Sequence, residues 1–343
     1  MKYPKFITNN SCIGIICPSG GAHKETKINK YKNGIKRFEN MGFKLKLSKY
    51  LFKNEMGRSS SIENRSNEFN NMLKDKDVDL VLCATGGDFL VEILPYIDFG
   101  LISDNLKYVC GFSDPTGLLF PLTTKYDVST IYGQNFSPFG MKDLHKSQEY
   151  FLDIVMGKKL EEDGYKLYEN EHREEITGLE NYNLTEKVEY REINNKDVCV
   201  SGRIIGGCMD IIAELAGTKY DGMTEFNEKY KDDGIIWYFD NCEQNCEEVI
   251  RQLWKFNELG YFKYTKAVIF GRFGLESSNY GYDTLSCLKD SILSKMGIPV
   301  IYGADVSHKS PCLTIINGSI ANISLTKGKF HIKFELKKWY NYI

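Results

Sequence analysis

A two-domain α/β fold follows from three features of this chain. Short apolar strands alternate with amphipathic segments of helix length, and the strands end in glycine-containing turns. The 343 residues also exceed what one ordinary hydrophobic core accommodates and suit two.

The elements read in order as follows. Cys12-Ile13-Gly14-Ile15-Ile16-Cys17 is an apolar strand stopped by the turn Pro18-Ser19-Gly20-Gly21. Ile28, Tyr31, Ile35, Phe38 and Met41 recur at helical spacing until Gly42 supplies the stop. Residues 43–47 alternate as a second strand, and a polar helix over 60–73 leads to a strand at 78–83. That strand runs into Gly86-Gly87, a helix through Ile93 and a further strand at 108–110, and a helix over 144–155 closes the half. Alternation of this kind predicts a flavodoxin-like parallel sheet covered on both faces, in an N-terminal domain over 1–160. Ligands in such sheets sit beyond the carboxyl ends of the strands, which singles out the loops 18–21, 85–88 and 111–115.

Residues 161–195, dense in Glu, Lys, Asn and Tyr, are expected to be a linker and a loop that covers the site. A C-terminal mixed β/α domain over 196–343 then opens with Arg203-Ile204-Ile205-Gly206-Gly207 and a helix at 209–216. It continues with strands at 235–239, 267–270 and 299–302 and a helix at 247–259. The strands that follow include one around Ile315, an Asn317-Gly318 hairpin turn, and strands at 320–325 and 330–334.

Composition removes several function classes. Lys and Arg number 44 against 46 Asp and Glu, so the net charge of −2 gives no basic excess with which to hold nucleic acid. No run approaches the roughly 18–20 apolar residues of a membrane span. The first residues lack an apolar signal core, which leads us to expect a cytoplasmic protein. The ten cysteines lie mostly in apolar runs, and only Cys242 and Cys246 are closely spaced, so all are expected to be free thiols. Neither a metal nor another cofactor is expected.

Three residues at strand ends carry the chemistry. Ser113, in Gly111-Phe112-Ser113-Asp114-Pro115, sits where a strand turns into a helix, a place that holds a hydroxyl near helix N-terminal amides. The same serine also has the form of a helix N-cap. His23, His145 and His172 lie in polar segments, whereas His308 follows the strand at 299–302 and is the candidate base. Asp240 ends the strand at 235–239 and is the candidate orienting acid, with Glu243 three residues on.

Gly86-Gly87, Gly111-Phe112-Ser113-Asp114-Pro115-Thr116, Gly202-Arg203-Ile204-Ile205-Gly206-Gly207 and the Gly-x-Asp-x-x-His segment ending at His308 together resemble the LD-carboxypeptidase family of serine peptidases. That family includes muropeptide carboxypeptidases and self-immunity proteins against microcin C. The resemblance implies a Ser-Glu-His triad drawn from both domains, with Ser113 the nucleophile and His308 the base. The amides of Gly87 and Asp114 match the oxyanion hole, and homodimers without a metal are the family's usual state.

Two positions depart from the family pattern. Asp240 stands where the family has glutamate, about 1.5 Å shorter in reach, and Glu243 is the alternative acid. Ser307 stands where glycine usually precedes the histidine. A carboxypeptidase must also receive a terminal carboxylate, for which Arg203 and Arg272 are the candidates. The expected substrate is a small peptide, foremost a cell-wall muropeptide cleaved at an LD-bond. A peptidyl or aminoacyl nucleotide is the alternative, for which the tyrosines of the linker (Tyr165, Tyr168, Tyr182, Tyr190) offer a stacking surface. Rivals of other classes are a non-catalytic peptide-binding relative and a phosphotransferase, the latter suggested by Thr85-Gly86-Gly87-Asp88 alone.

Overall fold

The strands of the N-terminal half, at 44–47, 12–16, 80–83, 108–111 and 130–132 in sheet order, are all parallel, the flavodoxin-like arrangement expected for this half. The computed structural model describes residues 1–171, 174–275 and 277–337. Over these the chain divides into two compact units, one built on Lys2–Lys159 with Arg173–Tyr182, the other on Met1, Leu160–His172 and Asn183–Ile343. His172 itself lies outside the described residues.

The elements of the first unit are β1 (Cys12–Ile16), α1 (Glu25–Asn40), β2 (Lys44–Leu47), α2 (Ile62–Lys74), β3 (Leu80–Cys83), β4 (Tyr108–Gly111), α3 (Thr116–Thr124), β5 (Thr130–Tyr132) and α4 (Lys146–Val155). β3 and β4 are buried along their whole length, as the centre of a sheet covered on both faces requires. On α1 the face predicted from spacing is the buried one: Tyr31 and Phe38 are fully buried and pack edge-on against Phe136. Ser61 caps α2 by accepting the Asn64 amide at 3.2 Å. The helix expected to run through Ile93 is instead two 3₁₀ segments, Leu90–Tyr96 and Phe99–Ser103. Pro95 explains this, because it lacks an amide hydrogen and disfavours helical backbone in the residue before it.

The second unit comprises β6 (Glu161–Asp163), β7 (Leu167–Tyr168), β8 (Glu186–Lys187), β9 (Arg191–Glu192), β10 (Val198–Cys208), α5 (Met209–Leu215), α6 (Met223–Tyr230), β11 (Ile235–Asp240), α7 (Cys246–Glu258), β12 (Thr265–Gly271), α8 (Thr284–Asp290), β13 (Val300–Ala304), β14 (Ile315–Asn317), β15 (Ile320–Thr326) and β16 (Lys329–Glu335). Eight of these strands form a mixed sheet in the order β6-β16-β15-β10-β11-β12-β13-β9, with β10 to β13 parallel and its other pairings antiparallel. Its core centres on β11, every residue of which is buried. Trp237 stacks on Phe239 and Tyr261, and Phe256 of α7 stacks on Phe239 and Tyr261. Full burial of each such ring contributes roughly 1.5–3 kcal/mol.

The stretch 161–195 is shared out between the units: β6 and β9 add edge strands to the eight-stranded sheet, and the part near residue 180 packs with the first unit. The β15–β16 hairpin turns at Lys327-Gly328, both with positive φ (50° and 74°), and pairs Thr326 with Lys329. Asn317-Gly318 makes a tight turn of its own, in which the Ser319 amide donates to the Ile316 carbonyl at 3.2 Å.

Candidate active site

In the first unit the three loops singled out from sequence converge. The Gly20 amide donates to the Gly86 carbonyl at 3.4 Å, and the Ser19 hydroxyl donates to the Asp114 carboxylate at 2.5 Å. Asp114 is 1% exposed and also accepts the Leu90 amide at 3.1 Å, so one buried carboxylate ties the first and third loops to the start of the segment that follows the second.

Ser113 occupies the turn between β4 and α3 with φ of +71°, a left-handed backbone that costs a non-glycine residue about 1–2 kcal/mol. That conformation is held from both sides. The Ser113 amide donates to the Tyr132 hydroxyl at 3.3 Å. The Asn135 side chain accepts the Phe112 amide at 3.0 Å and donates to the Phe112 carbonyl at 3.1 Å. The helix N-cap position falls on Pro115, so capping does not account for Ser113.

Gly86 packs against this serine and Gly87 against Ser19, each where a side chain would not fit. A Cβ at Gly86 would lie 3.1 Å from Ser113 Oγ, so the glycine lets the loop approach the hydroxyl. Gly87 has φ of +151°, and its amide has no hydrogen-bond acceptor among the described residues.

In the second unit His308 Nδ1 lies 2.9 Å from Asp240 Oδ1. Asp240 is fully buried at the end of β11, while the imidazole keeps 21% of its side-chain surface. Burial alone would lower the His308 pKa, but the Asp240 carboxylate outweighs it and raises the pKa well above the ordinary histidine value. The Cys242 thiol is a further hydrogen-bond partner of this ring, and its own pKa is raised by burial. Glu243 is exposed, and its amide and that of Cys242 both donate to the Asp210 carboxylate at 3.0 Å. Of the two candidate acids, Asp240 is the one against His308.

The histidine loop is built on a buried network. Asp305, fully buried, accepts from the Tyr190 hydroxyl at 2.5 Å and the Tyr165 amide at 2.8 Å, and pairs with the Arg272 guanidinium. Arg272 also donates to the carbonyls of Lys309 and Pro311 at 2.6 and 3.2 Å. Ser307 Oγ donates to the Arg272 carbonyl at 2.8 Å and accepts the Lys309 amide at 3.0 Å.

Both arginines expected to receive substrate are therefore occupied within the second unit. Arg203 is fully buried, with its guanidinium on Asp233 and the Gly318 carbonyl and 3.8 Å over the Tyr230 ring. Removing such an arginine from water costs several kcal/mol unless it is fully paired, which is why both are tied to carboxylates. The linker tyrosines are engaged as well: Tyr165 on Glu162, Tyr190 on Asp305, Tyr168 beneath Arg272, and Tyr182 on Gln148. Sequence reasoning passed over Tyr132, Asn135 and Asp210 and gave no role to Ser19 or to Asp305, the aspartate of the Gly-x-Asp-x-x-His segment. All but Asp210 and the strand-end Tyr132 are buried polar residues just after a strand, the signal that could have found them.

Residues 13–133 match the LD-carboxypeptidase N-terminal domain and residues 201–323 the LD-carboxypeptidase C-terminal domain. The microcin C7 self-immunity protein MccF of Escherichia coli is 29% identical over 337 residues, spanning 92% of this chain and 93% of that protein. A solved MccF-like protein from Bacillus anthracis superposes with a TM-score of 0.82 at 25% identity, covering 98% of this chain and 100% of that one. The muramoyltetrapeptide carboxypeptidase from Oxalobacter formigenes shares the fold, with a TM-score of 0.73 at 22% identity over 94% of this chain and 98% of that one. The chain belongs to the LD-carboxypeptidase family and is a serine-type carboxypeptidase.

Proposed function

We propose that this enzyme removes the C-terminal residue of a small peptide, foremost a cell-wall muropeptide cut at an LD-bond, with Ser113 as nucleophile, His308 as general base and Asp240 as the orienting carboxylate. The observation that carries the reading is the left-handed serine beside Gly86-Gly87, together with a histidine whose Nδ1 faces a buried carboxylate. In this scheme Nε2 of His308 takes the Ser113 proton as Oγ attacks the scissile carbonyl. The amides of Gly87 and Asp114 hold the oxyanion. The imidazolium then protonates the departing amine as the C–N bond breaks, and water, deprotonated by the same ring, releases the acyl group from Ser113.

The similarity to MccF keeps an aminoacyl or peptidyl nucleotide as the second substrate class. We place the enzyme in the cytoplasm, where ten free thiols remain reduced, and take it to be a homodimer as the family resemblance implies. Mass spectrometry of reactions with a muropeptide tetrapeptide and a peptidyl-sulfamoyl adenylate, each beside the Ser113→Ala protein, tests the reading. Hydrolysis that persists in Ser113→Ala removes it, and binding without turnover by the native protein would leave a peptide-binding relative.

A further inference from the structure

A carboxypeptidase needs a cation for the free carboxylate of its substrate, and the two arginines that sequence suggested are occupied by their own unit. We propose that Lys27 is that cation, placed to receive the terminal carboxylate of the peptide. This rests on the serine-carboxypeptidase reading above and names its specificity group.

The position is the first argument. Lys27 Nζ donates to Thr85 Oγ1 at 3.1 Å. Thr85 directly precedes Gly86, whose Cα side lies against the Ser113 hydroxyl. The terminal carboxylate of a peptide cut before its last residue lies one residue beyond the scissile carbonyl, about 4 Å. Lys27, on α1, thus reaches the residue adjoining the one that lies against the Ser113 hydroxyl.

Availability is the second. The Thr85 hydroxyl is the one hydrogen-bond partner of this ammonium, and no carboxylate lies within ion-pair reach of it among the described residues. Its neighbour on the helix, Lys30, is by contrast paired with Glu175. A lysine ammonium has three donors, so two remain for a carboxylate.

Its setting is the third. Lys27 lies in the first turn of α1, where a positive charge opposes the helix dipole, and burial lowers its pKa against the smaller opposing pull of Cys17 and Glu175. Neither helix stability nor solvation accounts for a lysine there. An incoming carboxylate would offset both costs.

The test uses the full-length enzyme with a tetrapeptide ending in D-alanine and the same peptide as its C-terminal amide. The native enzyme should favour the acid. Lys27→Met should lower the acid-to-amide ratio of kcat/KM about 10–100-fold, mainly through KM, and Lys27→Arg should restore part of it. Calorimetric titration of both peptides into Ser113→Ala, with and without Lys27→Met, reads the same preference without turnover. An acid-to-amide preference that survives Lys27→Met in both assays, or no preference for the acid in the native protein, overturns the assignment. Hydrolysis that persists in Ser113→Ala overturns the nucleophile instead, so the two failures are separable.

Discussion

His308 Nδ1 lies 2.9 Å from the fully buried Asp240 carboxylate, a pairing that holds the imidazolium form of the ring well above the ordinary histidine range. A base must be neutral to accept a proton, so the acidic limb of the kcat/KM profile should lie above pH ~6.5. Asp240→Asn removes the charge that raises this pKa, and the limb should move down in pH. It should also lower kcat by about 10³–10⁴-fold. Replacing the exposed Glu243 with Gln should alter neither quantity, and a pH–rate series on the two variants separates the acids. The linkage has a stability side. A raised folded-state pKa contributes stability that is complete below the unfolded histidine value and is lost as pH rises through the folded one. Chemical denaturation at pH 5 and pH 9 should therefore show the destabilisation by Asp240→Asn to be larger at pH 5.

Strain at Ser113, the nucleophile of the proposed scheme, gives the next expectation. Ser113 holds φ of +71°, which glycine adopts at no steric cost and alanine does not. Ser113→Gly and Ser113→Ala both lose the hydroxyl, so both should be inactive. The glycine variant should nevertheless be more stable than the alanine variant by about 1–2 kcal/mol, measured as a shift in urea midpoint. Equal midpoints would mean that the turn relaxes and carries no such strain.

Much of this arrangement was legible in the chain because it is local. Apolar strands followed by glycine turns located the loops at 18–21, 85–88 and 111–115, and carboxyl-end placement drew Ser113, Asp240 and His308 out of many polar residues. What was not legible depends on pairing across long stretches of sequence. Ser19 and Asp114 lie 95 residues apart, and Arg272 and Asp305 lie 33 apart. An arginine beside a glycine has the same local pattern whether it faces solvent or a buried carboxylate. For that reason Arg203 and Arg272 suggested ligand binding until their partners were seen.

Ser307 is the departure from the family pattern whose role the structure makes concrete. Its hydroxyl joins the Arg272 carbonyl to the Lys309 amide and so fixes the backbone on both sides of His308. Ser307→Ala should cost about 1 kcal/mol of stability and lower kcat several-fold with little change in KM. The acidic limb of the pH profile should also broaden or shift, which a purely structural loss would not produce. Ser307→Thr, which keeps the hydroxyl, should recover most of kcat.

Arg272 separates the two roles an arginine could have here. Its guanidinium, 6% exposed, pairs with the fully buried Asp305 and donates to two carbonyls of the histidine loop. Arg272→Met leaves the Asp305 carboxylate with the Tyr190 hydroxyl and the Tyr165 amide, both on its other oxygen. An uncompensated buried carboxylate should cost about 3–5 kcal/mol, seen as a lower urea midpoint, and kcat should fall because the loop carrying His308 loosens. If Arg272 acts only through the histidine loop, KM for an acid and for its amide should change by the same factor. A selective loss of the acid without a stability change would instead assign Arg272 to the substrate carboxylate. The ratio of KM values, read beside the unfolding midpoint, decides between the two.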